Sequence, residues 1–565
     1  MKVLKTFCVT VLASGLMLAQ TTTTPSSGSD SSNIANELKQ LQESMAAQQK
    51  AIAEQQKKIA EQQAEIEKLK HQQSGQEQTV SKSGDSQAAR VVNASLNTVS
   101  PVTVAAKPPQ DTQPKESPLS FKIGGADFTP GGFMDFTTIF RSTNTGAPGG
   151  TNFFSIPFSN SVSGHLSETR LTAANSRLSI KAHDQFGKND VTGYAEMDFL
   201  GNDGANVEVS TNSHTFRQRL YFVDVKRDKF EFLAGQAWSW LTPNRVGVSP
   251  YPSDIFYSQN IDFNYQVGLT WTRAPQIRFI YHPSEHWAMG VALENPEQFG
   301  GQGEITFPAF FNAQLSNGTT PQIDQANSSA TPNLHPDIIP KVTYDTDFSG
   351  KHFHAEVAGL LSGFKTTNLV GPSFVTHTKE GAGVSAAINY EVVRNVHIVA
   401  NGFYSDGGAR YLFGSGPDVV ALPTLVPGAV ACVPASGAGC DIRLSPVHAG
   451  SSIVGFEAQV TPKTLIYGYY GGEYFQRNFA ADITNATPGK FVGFGGPNSS
   501  NNNNRAIQEP TLGWTQTFWK HPQYGALQLM TQASYLTRSP WFVAAGAPKN
   551  AHLFLGMVNI RYVLP

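Results

Sequence analysis

Apolar and polar positions follow two rhythms along this chain. Between residues 34 and 70 the apolar positions recur with strict 4,3 spacing. Leu38, Met45, Ile52, Ile59 and Ile66 fill one seam position, and Ile34, Leu41, Gln48, Gln55, Gln62 and Leu69 fill the other. IAEQQKK at 52–58 is followed directly by IAEQQAE at 59–65, so the period is seven by identity. Heptads with charged flanks predict a coiled coil, and a seven-residue period predicts a left-handed supercoil of more than one chain. Branched Ile layers admit a dimer or a trimer, while the three Gln layers favour a defined register. At about 1.5 Å per residue the helix would run about 55 Å.

Residues 71–119 lose this period and fill with Ser, Gln, Thr, Pro and Lys, which predicts a flexible linker. From 120 to 565 the rhythm is period two. Arg177–Ala182, Ala195–Phe199, Arg217–Phe222 and Phe554–Tyr562 each carry one apolar, aromatic face and one polar or charged face. A soluble sandwich would show the same alternation, so the connections decide between them. Short turns fall at 185–190, 226–228, 283–285, 348–351, 392–395, 461–463 and 520–522. Between them lie longer polar segments at 143–170, 201–213, 238–265, 295–337, 362–380, 405–450, 474–508 and 538–550. Strict alternation of short and long connections predicts an all-β transmembrane barrel with tight periplasmic turns and long external loops. The count is sixteen antiparallel strands, with fourteen and eighteen as its neighbours. Pro275 falls inside the sixth strand, where it requires a bulge or a later strand start.

The ends and totals agree with export to a membrane. Lys2 and Lys5 precede an apolar stretch from Thr6 to Leu18, which predicts a signal peptide over 1–19. No segment offers some eighteen consecutive apolar residues, so no membrane helix is expected. Forty-one basic against 43 acidic residues argues against a nucleic-acid binder. With Cys8 inside the signal, Cys432 and Cys440 remain in the run CVPASGAGC. An exported compartment permits a disulfide between them, and that reading is preferred to a metal or redox site.

Candidate chemistry lies on the inward phase of the strands. A sixteen-stranded barrel keeps a water-filled lumen. Arg177, Lys181, Glu196, Asp198, Arg217 and Arg219 share its polar face on strands two to four, joined by Arg278 and Arg561. Pairing about the 185–190 turn would set Arg177 nearly opposite Asp198. Such charges filter solutes by their local field, or else pair across strands and stiffen the wall. The long connection after strand five, 238–265, starts with Trp238 and Trp240 and is long enough to fold inward as a constriction. Arg245, Asp254 and Asp262 would then meet a passing solute; a surface lid or a trimer latch is the alternative. No HExxH, GxSxG or P-loop motif occurs, and His282 and His286 flank a short turn rather than a metal site. No enzyme activity and no cofactor are expected.

The run SRLSIKA…GYAEMDF…FRQRLYFVDV…FEFLAGQAWSWLTP, followed by APQIRF and ALENPE, resembles the DcaP-like outer-membrane porins. The resemblance spans the coiled coil and is strongest over 176–297; the later strands match in pattern. It implies a homotrimer of sixteen-stranded barrels in the outer membrane, with the coiled coil in the periplasm. It also implies passive diffusion of small anionic solutes such as dicarboxylates. The coiled coil would help assemble three barrels, place a stalk near the peptidoglycan, or both. A structural anchor with a closed barrel is the other function this layout allows.

Overall fold

Period-two segments separated by tight turns fold into antiparallel hairpins, because a connection of a few residues can only reverse the chain. The computed structural model describes residues 117–565 apart from 148, 204–206, 256–257, 297–303, 312–332, 371–372 and 435. The signal peptide, the coiled-coil positions Leu38, Met45, Ile52, Ile59 and Ile66, and nearly all of the linker lie outside the described residues.

A short spur, β1 (Phe121–Ile123), turns through Gly124 at φ 62° onto β2 (Ala126–Arg141). Two pieces, β3 (Glu168–Thr172) and β4 (Arg177–Phe186), pair with successive halves of β2 and make one wall position. Next come β5 (Asn189–Asp198), β6 (Arg217–Arg227), β7 (Phe230–Trp238), β8 (Arg273–Tyr281) and β9 (Trp287–Glu294). The meander continues through β10 (Asp337–Phe348), β11 (Lys351–Val370), β12 (Ser373–Val393) and β13 (Val396–Asp406). The next loop holds its own hairpin, β14 (Val419–Leu425) with β15 (Cys440–Pro446), before β16 (His448–Thr461) and β17 (Thr464–Phe475) resume the wall. A second loop hairpin, β18 (Asn478–Ala481) with β19 (Phe491–Phe494), precedes β20 (Asn504–His521), β21 (Gly525–Pro540) and β22 (Ala551–Val563).

Pairing of β22 with β2, from Phe133↔Val563 to Arg141↔Leu555, closes the sheet. Eighteen strands share it; with β1 a spur and β3–β4 one position, the closed barrel has sixteen antiparallel strand positions. Closure removes the unpaired edges that a membrane core could not tolerate.

The alternation survives into burial. In β22, Leu553, Leu555, Met557, Asn559 and Arg561 face in and are buried, while Phe554, Val558 and Ile560 face out. Outward Phe136, Val223, Phe279, Val357, Ile388, Val454 and Leu512 continue the apolar exterior around the wall, a face suited to hydrocarbon. Near the short turns, cross-strand ring pairs make an aromatic band. Phe230–Tyr281 lies at 5.2 Å, Trp287–Tyr344 at 4.7 Å and Trp519–Tyr562 at 6.1 Å between centroids.

The short turns lie at 187–188, 228–229, 282–286, 349–350, 394–395, 462–463 and 522–524. Pro275 is the third residue of β8, opposite Gln236, close to the strand start. One expectation is corrected. Residues 362–380 are mostly strand: β11 and β12 run 20 and 21 residues and stay paired to Val370↔Ser373. Beyond the hydrocarbon an outward face need not be apolar, so Lys365, Thr367, Thr376 and Thr378 give this extension a loop-like composition.

Candidate functional site: the inward loop and the arginine wall

Glu196 and Asp198 on β5 and Arg217 and Arg219 on β6 meet at a β-bulge. Asp198 pairs with Arg217 and Glu196 with Leu220, so the register shifts and Arg219 is the extra residue. A bulge re-aims side chains, and here both arginines turn onto the two carboxylates. Arg217 donates to both Asp198 oxygens at 3.0 and 2.7 Å. Arg219 donates to Glu196 at 2.6 Å, to Asp198 at 2.9 Å and to the Tyr265 hydroxyl at 3.2 Å.

Arg177 lies directly opposite Asp198 in the register. It stays 4.0 Å from Glu196, stacks over the Phe133 ring at 5.2 Å, and its Nε is buried without a hydrogen-bond partner. Arg561 lies over the same ring at 4.1 Å and donates to Asp135 at 3.0 and 2.7 Å. Arg278 is buried, donates to Gln276 at 2.6 Å and to the Trp238 carbonyl, and lies 5.5 Å over the Trp240 ring. Lys181 keeps partial exposure over Tyr251, at 5.2 Å.

The connection between β7 and β8, residues 239–272, crosses the lumen and binds the far wall through carboxylates. Trp240 N donates to Glu294 on β9 at 2.6 Å, Gly247 N to Asp345 on β10 at 3.1 Å, and Asn244 N to Glu356 on β11 at 3.1 Å. Arg245 pairs with Glu457 on β16 through two contacts of 2.7 Å. Gly268 N donates to Glu473 on β17 at 3.2 Å, and Val267 N to Glu509 on β20 at 2.9 Å. Ile261 N donates to Gln532 on β21 at 2.6 Å. The loop backbone presses so close to the wall that a Cβ on Gly471 would stand 1.8 Å from the Val267 carbonyl oxygen. A side chain at that position would push the loop away.

Of the three predicted loop charges, Arg245 and Asp262 are buried at 4% and 1% exposure, held by internal bonds, and Asp254 alone stays partly open. Trp238 and Trp240 are likewise buried, at 1% each. Asp262 accepts from the backbone N–H groups of Thr151 at 3.1 Å and Asn264 at 2.9 Å. Burial still holds its carboxyl above the usual range, and burial raises Asp254 in the same way.

The carboxylates of β9, β10, β11, β16, β17 and β20 are turned onto the loop. On the β4–β8 side, Arg177 Nε and Arg273 Nη1 have no hydrogen-bond partner, and neither do Asp224 Oδ1 and Glu231 Oε1 there or Glu294 Oε2 and Glu473 Oε2 on the far wall. The carboxylates occupy the inward phase of their strands and were legible from it. Arg273 was not: Ala274, Gln276 and Arg278 set the inward phase of β8, and Arg273 falls on the opposite one. Its guanidinium nevertheless lies 5.4 Å over the Trp238 ring.

Cys432 and Cys440 are joined in a disulfide, Cα atoms 4.5 Å apart, next to the β14–β15 hairpin. His282 contacts Glu231 at 2.9 Å and His286 the Asp345 carbonyl at 2.7 Å. Among the described residues no group of His, Cys, Asp and Glu could hold a metal ion.

No protein-family model matches the chain, and no curated protein matches it. Among solved structures, it is similar to the outer membrane channel DcaP of Acinetobacter baumannii, with a TM-score of 0.52 and 17% identity over 78% of this chain and 97% of that one. OmpT of Vibrio cholerae, in a trimer form, aligns with a TM-score of 0.39 and 11% identity over 78% and 100% of the two chains. OmpF of Salmonella typhi aligns with a TM-score of 0.39 and 12% identity over 79% and 99%. The likeness to DcaP is one of fold: the barrel is DcaP-like.

Proposed function

We propose that the chain is an outer-membrane porin, a passive pore without catalytic turnover, through which small anionic solutes such as dicarboxylates diffuse. One observation carries the reading: the far-wall carboxylates hold the loop, while on the opposite wall Arg177 Nε and Arg273 Nη1 have no hydrogen-bond partner. Fixed positive charge in a narrow, low-dielectric passage raises the local concentration of anions. Glu196 and Asp198 temper this field, since Arg217 and Arg219 are paired to them.

The same reading takes residues 1–19 as a signal peptide, 34–70 as a periplasmic coiled coil, 71–119 as a linker and 120–565 as the barrel in the outer membrane. The barrel is taken to assemble as a homotrimer, with Arg177, Lys181, Arg217, Arg219, Arg278 and Arg561 setting selectivity. The heptads could also place a stalk against peptidoglycan.

A second reading is favoured by the number of bonds that hold the loop to the far wall: a structural anchor whose barrel stays closed. Single-channel recording of the full-length protein in a planar bilayer, under a salt gradient, separates the two. Open channels closing in three equal steps, with an anion-directed reversal potential, support the trimeric porin. A silent membrane after verified insertion supports the anchor, and a cation-directed potential refutes the anionic preference.

A further inference from the structure

A row of aromatic rings from three separate loops leads to one arginine. Phe153 and Phe154, after β2, lie 5.5 and 6.4 Å from Phe413, which follows β13. Phe413 stacks on Trp271 at 5.4 Å with 24° between planes. Trp271 meets Tyr265 edge-on at 5.1 Å and Trp238 at 6.0 Å. Two residues on, Arg273 lies over that same Trp238 ring. Phe154, Phe413, Trp271 and Arg273 keep part of their surface open, while Trp238 and Tyr265 behind them are buried.

The row is built rather than incidental. Phe413 is held at φ 56°, a left-handed conformation that a bulky residue rarely adopts. Trp271 N donates to the Tyr411 carbonyl at 2.9 Å, and Trp271 bridges to Leu412, which ties the two loops together. At the end of the row, Trp271 Nε1 and Arg273 Nη1 are both buried and both lack a hydrogen-bond partner. Buried donors are rarely left so, and two of them beside partly exposed aromatic rings can take an acceptor carried by a ligand.

We propose that this row binds planar aromatic carboxylates, the ring stacking on Trp271 and Phe413 and the carboxylate accepting hydrogen bonds from Arg273. The proposal deepens the anionic-solute reading and rests on it. Aromatic faces take a planar ring in offset stacking, and a guanidinium takes a carboxylate in its fork. A neutral sugar would use the rings and leave the arginine unpaired. A short aliphatic dicarboxylate would use the arginine and leave the rings idle. A benzoate-like solute uses both.

Benzoate, cyclohexanecarboxylate, succinate and glucose are added in turn to the full-length protein in a planar bilayer, and the concentration that halves the ion current is recorded. Benzoate is expected to act at a concentration about fivefold lower than cyclohexanecarboxylate, the advantage that one stacking contact brings. Trp271→Leu should abolish that difference, Trp271→Phe should keep it, and Arg273→Gln should weaken both acids. Equal block by the two acids, or a benzoate preference that survives Trp271→Leu, overturns the aromatic site while the anionic reading stands. Stronger block by glucose than by benzoate overturns it in favour of a saccharide site. A cation-directed reversal potential with no block by any of the three acids overturns the anionic reading, and this proposal with it.

Discussion

Arg245 and Glu457 form a two-contact ion pair, 2.7 Å at each contact, between the inward loop and β16, across 212 residues of sequence. Both are buried, and the Tyr469 hydroxyl donates to the same carboxylate at 2.7 Å. Removing one partner of such a pair costs about 3–5 kcal/mol, because the other charge stays buried and uncompensated. Arg245→Met is therefore expected to lower the midpoint of heat unfolding and to give larger, noisier single-channel currents. If both quantities match the wild type, the pair does not hold the loop.

Glu196 and Asp198 neutralise two arginines that would otherwise face the lumen. Replacing them together, E196Q with D198N, is expected to raise the anion-to-cation permeability ratio by about tenfold, the lower end of what focused fields produce. R217Q with R219Q should move it the other way. Reversal potentials in a salt gradient measure both, and shifts of the same sign would refute the assignment.

The Asp262 carboxyl, held above its usual range by burial, makes loop docking depend on pH. The folded protein binds that proton more tightly than the unfolded chain does. Its contribution is thus most favourable below the ordinary carboxylate range and is lost as pH rises through the raised folded value. Asp262→Asn keeps an oxygen for the Thr151 and Asn264 N–H groups but cannot ionise. The stability of the variant relative to wild type should rise from pH 3 to pH 8, read as the difference between unfolding midpoints. A difference that is flat with pH would count against this account.

The heptad phase makes its own prediction. Replacing Ile52, Ile59 and Ile66 with Asp puts charge into three successive seam layers. Association of the 34–70 peptide in analytical ultracentrifugation should then be lost. Survival of the oligomer would mean that the seam is misassigned.

Reduction of Cys432–Cys440 should leave ion conductance unchanged, because the disulfide closes only the short connection between β14 and β15 and holds no strand of the wall. It should speed protease cleavage between 426 and 439, since a short cross-link restrains the chain by roughly 2–3 kcal/mol. Altered conductance would connect this loop to the pore.

Alternation and connection length carried most of the wall, because both are local. Arg177 opposite Asp198 could be read from the turn between β4 and β5 alone. The β11–β12 extension could not, since Thr- and Lys-rich strands beyond the hydrocarbon have the composition of a loop. The Arg219 bulge also lay beyond the pattern: an extra residue changes which groups meet without changing the period.

By itself the sequence determined the period-two wall, its order of hairpins, and which charges sit on the inward phase. Each of these depends on residues only a few positions apart. The tertiary structure decided which of those charges are already satisfied. Glu356, Glu457, Glu473 and Glu509 are bound to a loop from 112 to 242 residues away and so lose most of their hold on a solute; Arg273, out of phase in its strand, gains one. Hydrogen-bond partners across a closed barrel are set by where the chain returns in space, and no local pattern encodes that.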